Sequence, residues 1–146
     1  MTSTRKTEEK LSVIYSFQGR WEKLLRRGNI GVFFRKRRPV RLPERVYIYV
    51  GVPVKAIVGF AFVKSITEVS LAQAKAMANC GRISEDELAK YIGDDGVVHA
   101  IKIGESVLFK EPISLSYLQK EFGFNPPQSF SIVNASLEGA LLGSAE

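Results

Sequence analysis

Seven short runs rich in Val, Ile, Phe and Tyr are spread along the chain, and glycine, proline or polar turn residues separate most of them. Runs of this length and composition are typical of β-strands. No regular alternation of strand and helix accompanies them, so the pattern favours an α+β domain built on a mixed sheet or a closed small barrel. The predicted strands are residues 11–17, 30–37, 45–50, 55–66, 97–103, 105–111 and 128–133.

Short helices are predicted between these strands. Trp21, Leu24 and Leu25 are spaced i, i+3 and i+4 and would form the apolar stripe of the first helix. Ser70 and Ser84 each stand three residues before Gln or Glu, a spacing that predicts capping boxes at two further helix starts. The predicted helices are residues 18–27, 71–79, 84–91 and 114–122.

A chain of 146 residues is expected to form one domain with a core large enough to need no disulfide or metal. We divide it into a flexible N-terminal segment over residues 1–10, the folded domain over 11–134 and a C-terminal tail over 135–146. The N-terminal segment is polar and charged. The tail is small and apolar, which is compatible with a helical turn or with disorder.

Positive charge is concentrated in one segment, residues 20–41, which holds nine Lys or Arg and a single acidic residue. The net charge of the whole chain is only +6, so the remainder is slightly acidic. A local basic patch is the expected footprint of a polyanionic partner, although charge runs also occur simply as solvated surface. The cations are Arg20, Lys23, Arg26, Arg27, Arg35, Lys36, Arg37, Arg38 and Arg41.

Several kinds of site are not expected. Cys80 and His99 are the only cysteine and the only histidine, too few for an internal disulfide or a structural zinc site. We therefore predict no metal and no cofactor. The N-terminus lacks an apolar signal sequence, and no stretch approaches the roughly 18 apolar residues of a membrane span, so we expect no membrane association. The cysteine content fits a reducing cytoplasm.

Four segments, in this order, resemble the ASCH domains of the PUA-like superfamily, in particular short stand-alone archaeal members. They are FRKRRP at 34–39, VYIYVGVPVKAIVG at 46–59, HAIKIG at 99–104 and PPQSF at 126–130. The resemblance spans about residues 11–133. It implies a small PUA-like β-barrel, α+β in class, with short helices at its rim and a cleft at one mouth. The superfamily generally binds RNA, and some relatives accept a modified base in the cleft.

The resemblance also bears on catalysis, because some ASCH domains are similar to amidohydrolases acting on acetylated cytidine and a ribonuclease activity is known for another. The family signature is of the type G-x-K-x-x-E-x-R, with Thr in place of Glu in the amidohydrolase group. In this chain its positions fall on Gly28, Ile30, Phe33 and Arg35. Isoleucine and phenylalanine cannot activate a nucleophile or polarise a carbonyl. We therefore assign no catalytic residue, and an enzyme is the less favoured interpretation.

The candidate site has a cleft and a basic rim. Phe33 and Arg35 would present an aromatic ring and a guanidinium plane on one strand face, an arrangement that suits an unstacked base. The simpler interpretation, which we favour, is that Phe33 fills space and makes the cleft smaller and drier. His99 could act as a general base, but it shares a strand face with Ile101 and Ile103, which favours a satisfied histidine that is buried or lines the cleft. The predicted cleft residues are Phe33, Arg35, Lys55, His99, Gln128 and Ser129. The predicted nucleic-acid contacts are Lys23, Arg26, Arg27, Arg35, Lys36, Arg37, Arg38 and Arg41.

The sequence thus predicts a nucleic-acid-binding domain, for RNA before DNA, which uses a basic rim around an apolar cleft and has a possible regulatory role. The alternative is an ASCH-type ribonuclease or amidohydrolase with a rearranged site that uses Arg35, Lys55 or His99. A third interpretation is an interaction domain whose basic patch meets an acidic protein. Salt-sensitive binding of RNA would favour the first, and loss of activity on substitution of His99 or Lys55 would favour the second.

Overall fold

The computed structural model describes residues 11–28, 30–93 and 96–143, so the predicted N-terminal segment lies outside the described residues. Six strands form one mixed sheet: β1 Ser12–Phe17, β2 Val32–Arg35, β3 Arg45–Val50, β4 Ala56–Ser70, β5 Val97–Ser114 and β6 Phe130–Ile132. A 3-10 turn, Gly19–Trp21, precedes the first of five short helices. These are α1 Glu22–Arg26, α2 Leu71–Met77, α3 Glu85–Ile92, α4 Leu115–Phe122 and α5 Ala135–Gly143.

The strand order is β2-β5-β4-β3-β1-β6, with β1 and β3 parallel and the other neighbours antiparallel. The sheet curls strongly, as two ring contacts show. The ring of Phe33 on β2 lies 5.4 Å from that of Tyr15 and 5.1 Å from that of Phe17, both on β1. Three strands separate β1 and β2 in the sheet order, so only a curled sheet brings these rings together. The expected α+β, barrel-like fold is confirmed.

The two long strands β4 and β5 provide the bend. Their pairing shifts register three times between Ile57 and Ser65, and such irregularities increase the local twist and let strands turn a corner. Gly59 lies at one of these shifts, where a Cβ atom would collide with the carbonyl oxygen of Val107. A glycine is needed there because the two backbones approach too closely for any side chain.

Each face of the curled sheet is covered. The interior of the curl is filled by residues of β1 to β5 together with Leu25 and Ile30. On the outside, α4 and α5 cover one part of the sheet through Leu118, Leu137 and Leu141. The helical pair α2 and α3 covers the part formed by β2 and β5.

Several sequence predictions change in the structure. The predicted helix 18–27 is the 3-10 turn followed by α1, and the predicted last strand, 128–133, is shortened to Phe130–Ile132. Residues 97–103 and 105–111 are one continuous strand, β5, since Gly104 lies within a strand that bends rather than in a turn. Strand β4 continues to Ser70 and ends where that residue caps α2. Strand β2 ends at Arg35, because the carbonyl oxygen of Arg37 accepts a hydrogen bond from the Tyr15 hydroxyl at 2.8 Å instead of joining the sheet.

The C-terminal tail contains a helix that packs on the sheet. Asn134 caps α5 by accepting a hydrogen bond from the backbone N–H of Leu137 at 2.8 Å. Glu138 fixes the helix to β1 and β3, since its carboxylate accepts hydrogen bonds from the hydroxyls of Ser12 at 2.6 Å and Tyr47 at 2.9 Å. Among the described residues, no helix has the length and apolar character needed to cross a membrane.

Candidate nucleic-acid interface

A cavity of about 340 Å³ opens beside the edge strand β2. One wall is the end of β1 with the 3-10 turn, and a second is β2 itself. The third wall is formed by α3 and the segment before it, through Ile83, Glu87 and Tyr91. This helical segment showed no functional signal in the sequence. The cavity therefore depends on three elements that are distant along the chain.

Arg35 extends from the last position of β2 into this cavity and crosses to β1. Its guanidinium donates hydrogen bonds to the backbone carbonyl oxygens of Phe34 at 2.9 Å and Ser16 at 3.0 Å. The guanidinium carbon also lies 4.6 Å from the ring centroid of Phe17 and 5.0 Å from that of Phe33. Arg35 thus joins the two strands whose rings meet inside the curl.

No carboxylate pairs with Arg35 among the residues that the structure describes. Burial lowers the pKa of the Arg35 guanidinium, and the hydroxyls of Tyr91 and Tyr15 oppose that shift. A guanidinium nevertheless stays charged inside proteins. Two of its five N–H donors are used by the carbonyl oxygens, which leaves others for an anionic or carbonyl-bearing ligand in the cavity.

The rest of the cavity is largely apolar. Ile30 and Phe33, which occupy the Lys and Glu/Thr positions of the ASCH signature, both line the cavity and are buried. Phe33 makes edge-to-face contacts with the rings of Tyr15 and Phe17, and the guanidinium of Arg35 lies over its ring. The signature positions thus lie together in the cavity, with an apolar surface of Ile30 and Phe33 in place of a polar pair.

Two aromatic side chains that sequence reasoning did not select also line the cavity. Trp21 is half-buried and has the guanidinium of Arg20 at 4.3 Å from its ring. Tyr91 is 37% exposed, and the ammonium of Lys36 lies 5.0 Å from its ring. Arg20 also pairs with Glu87, which connects the 3-10 turn to α3 at the cavity. These side chains offer ring surface at the opening.

The structure places the other predicted cleft residues differently. Gln128 lines the cavity, whereas Ser129 does not. Lys55 is exposed after the β3–β4 turn and lies outside the lining. His99 pairs with Arg35 across the β5–β2 ladder but also lies outside the lining, and its buried Nδ1 atom has no hydrogen-bond partner among the described residues.

Most of the predicted cationic contacts are on the surface. Lys23, Arg26, Arg27, Lys36, Arg37 and Arg41 are exposed, whereas Arg38 is half-buried. Arg26 pairs with Glu22 four residues earlier, so part of its charge is already neutralised. Arg38 donates to the carbonyl oxygen of Pro39 at 3.0 Å. Among the described residues, no carboxylate pairs with Arg37 or Arg41.

Comparison with solved structures confirms the resemblance at the level of the fold. The ASCH protein of Zymomonas mobilis superposes with a TM-score of 0.83 at 24% identity, over 90% of this chain and 94% of that protein. A tyrosine-to-phenylalanine variant of the same protein gives 0.82 at 24% identity, over 90% and 96%. The N-terminal domain of McrB from Staphylothermus marinus gives 0.62 at 10% identity, over 90% and 93%.

A scan against protein-family models and a search of curated proteins gave no match to the sequence. The structural comparison thus shows that the chain has the ASCH fold. The binding partner has to be inferred from the surface and cavity of this chain.

Proposed function

We propose that this protein with an ASCH fold is a nucleic-acid-binding protein of the cytoplasm that prefers RNA to DNA. The observation that carries the proposal is the Arg35 guanidinium, which extends into an aromatic cavity without a carboxylate partner among the described residues. A half-buried charge without a counter-ion favours a ligand that supplies negative charge or strong acceptors. A nucleotide supplies both.

The cavity suits one unstacked base rather than a duplex. Its volume of about 340 Å³ is at the small end of ligand sites, which run from about 300 to 1,000 Å³. The aromatic rings of Trp21 and Tyr91 offer surfaces for stacking, and Gln128 offers hydrogen-bonding groups. Sequence-tolerant recognition of single strands combines such rings with a cationic track for the backbone. Single-stranded or looped RNA is the form in which bases are free to enter.

The cationic track is supplied by the exposed side chains beside the cavity. Lys36, Arg37 and Arg41 follow β2 directly and are exposed. Phosphates bound to these side chains would release counter-ions, so the affinity should fall steeply with salt. The apolar side chains at Ile30 and Phe33 favour binding over hydrolysis, and we expect the RNA to remain intact.

Fluorescence anisotropy with labelled single-stranded RNA, folded RNA and double-stranded DNA at two salt concentrations tests the proposal. We expect tighter binding of RNA than of DNA. Replacing Arg37 and Arg41 together by Gln should lower the salt slope by about 1.4, which corresponds to an affinity loss of about 25-fold at 0.1 M salt relative to 1 M. The matched control replaces Lys110 and Lys120, exposed cations on β5 and α4, by Gln and should leave both values unchanged.

Equal losses in the two double variants would mean that nonspecific charge, not this surface, binds the RNA. Absence of binding to any nucleic acid at low salt would contradict the proposal. Cleavage of the RNA on a gel would instead favour the enzyme, and substitution of His99 and Lys55 would then be the next step.

A further inference from the structure

The β2–β3 loop, residues 36–44, exposes two apolar side chains between its arginines. Val40 is 97% exposed and Leu42 is 52% exposed. Arg37 and Arg41, on either side of Val40 in sequence, are exposed as well. Single exposed apolar residues are common on soluble proteins. An apolar tip with an arginine on each side is a more specific pattern, and neither arginine pairs with a carboxylate among the described residues. The apolar tip suits the bases of a nucleic acid, and the arginines suit its phosphates.

The loop is held in place rather than free. Pro39 and Pro43 are buried and restrict the backbone on both sides of the tip. The carbonyl oxygen of Arg37 accepts a hydrogen bond from the Tyr15 hydroxyl at 2.8 Å. At the other end, the backbone N–H of Glu44 donates to the carbonyl oxygen of Leu11 at 2.7 Å. A loop already ordered before binding loses little conformational entropy when it contacts a ligand.

The anchor of the loop is shared with the cavity. Tyr15, which holds Arg37, has its ring 5.4 Å from that of Phe33 and 5.7 Å from the guanidinium carbon of Arg35. Phe33 and Arg35 both line the cavity. Tyr15 therefore contacts both the loop and two side chains of the cavity wall, which places the loop beside that wall.

We propose that Val40 acts as an apolar wedge that enters between two neighbouring bases of the bound strand, while Arg37 and Arg41 hold the flanking phosphates. This inference rests on the proposed binding of nucleic acid. Apolar side chains inserted between base steps, with arginines on the backbone, are an established way in which proteins unstack nucleic acid. The wedge would separate the base that enters the cavity from its neighbour.

The charge of the loop favours nucleic acid over a lipid surface as its partner. Lys36, Arg37, Arg38 and Arg41 are closely spaced, which suits a chain of phosphates. Stable membrane attachment needs more apolar contact, since even a single myristoyl chain gives only marginal binding. Val40 and Leu42 together carry fewer side-chain carbons than one such chain.

RNA oligonucleotides that carry 2-aminopurine at each position in turn test the wedge, because this base becomes more fluorescent when it is unstacked. We expect the wild-type protein to raise the fluorescence at least about two-fold at one position. The Val40→Ser variant should lose most of this rise and bind about 5-fold more weakly. The matched control is Val52→Ser, in the β3–β4 turn, where the valine is also exposed, at 75%. The control should behave as wild type, and all variants should show the same Tm.

An unchanged fluorescence rise with Val40→Ser, or no rise at any position despite binding, would overturn the wedge and leave the proposed function intact. Absence of RNA binding by the wild-type protein would overturn both. Vesicles of phosphatidylserine and phosphatidylcholine provide the remaining arm. If they bind the wild-type protein but not Val40→Ser, while the RNA response is the same for both, the loop faces membranes and the wedge is wrong.

Discussion

Replacing Arg35 by Ala should destabilise the fold as well as the site, since the guanidinium joins β2 to β1. The substitution removes two charge-assisted hydrogen bonds, to the carbonyl oxygens of Phe34 and Ser16, each with a net contribution of about 1.5–3 kcal/mol. It also removes the contacts with the rings of Phe17 and Phe33, about 1 kcal/mol together. Relief of the cost of burying the charge offsets part of this sum.

We therefore expect a net loss of about 2–4 kcal/mol in the free energy of unfolding. In a domain of this size each kcal/mol lowers the Tm by about 2–4 °C, so the melting point should fall by roughly 4–16 °C. Arg35→Lys should recover little of the loss, because a single ammonium lacks the planar fork that reaches both carbonyl oxygens. Urea unfolding followed by the fluorescence of Trp21, which is the only tryptophan and lines the cavity, measures the effect.

The exposed Arg41 provides the comparison, since Arg41→Ala should change the stability by less than about 0.5 kcal/mol. A lysine variant as stable as the wild type would refute the reasoning, as would an alanine variant that loses no more than Arg41→Ala. Arg35 would then be available mainly for a ligand rather than for joining the strands.

Further predictions concern the cavity, the pH range and the C-terminal helix. Glu87→Gln should free Arg20 and remove a carboxylate from the cavity wall. The RNA affinity measured by anisotropy should therefore rise about 2–5-fold with little change in stability, and weaker binding would contradict this. Burial raises the pKa of Tyr15 to about 12, above its value of about 10 in the unfolded chain, so its neutral form stabilises the fold below pH 10. The free energy of unfolding should therefore fall by about 2 kcal/mol as the pH rises towards 12. Denaturant unfolding between pH 9 and 12 measures this loss, which should be smaller in Tyr15→Phe. Glu138→Leu should lower the free energy of unfolding in urea by about 2–4 kcal/mol, because the hydroxyl of Tyr47 and the guanidinium of Arg45 lose a half-buried partner. An unchanged free energy would mean that α5 is held by apolar contacts alone.

Much of the fold follows from local sequence patterns. The helix caps at Ser70, Ser84 and Ser114 all accept the backbone hydrogen bond that an N-cap makes, and Gly123 adopts the left-handed conformation that ends α4. These features depend only on residues within one turn of the helix. The alternation within β2 is also confirmed, since Phe33 faces the interior and Phe34 faces α2 and α3.

The continuity of β5 and the third wall of the cavity could not be read from the sequence. Gly104 resembles a turn residue locally, and only the pairing of Ile103 and Ser106 with β4, on either side of it, shows that the strand continues. Tyr91 lies on an ordinary amphipathic helix, yet tertiary packing brings its hydroxyl to the backbone N–H of Lys36 at 3.2 Å. Such a contact between residues far apart in the chain has no local signal. The position of Trp21 was predicted as part of a helix stripe, but its exposure to the cavity depends on the curl of the sheet.

The most direct test of the account is to map the RNA contact by two-dimensional 1H–15N NMR during titration with a short single-stranded RNA. If RNA binds the cavity and the adjoining loop, the largest shifts should fall on β2, on the β2–β3 loop, on the side chains of Arg35 and Gln128, and on the indole N–H of Trp21. Residues of α4 and α5, on the other side of the sheet, should be unaffected. Shifts centred on α4 and α5 with β2 unchanged would contradict the account, because the RNA would then bind a surface that contains neither the cavity nor the arginines beside it.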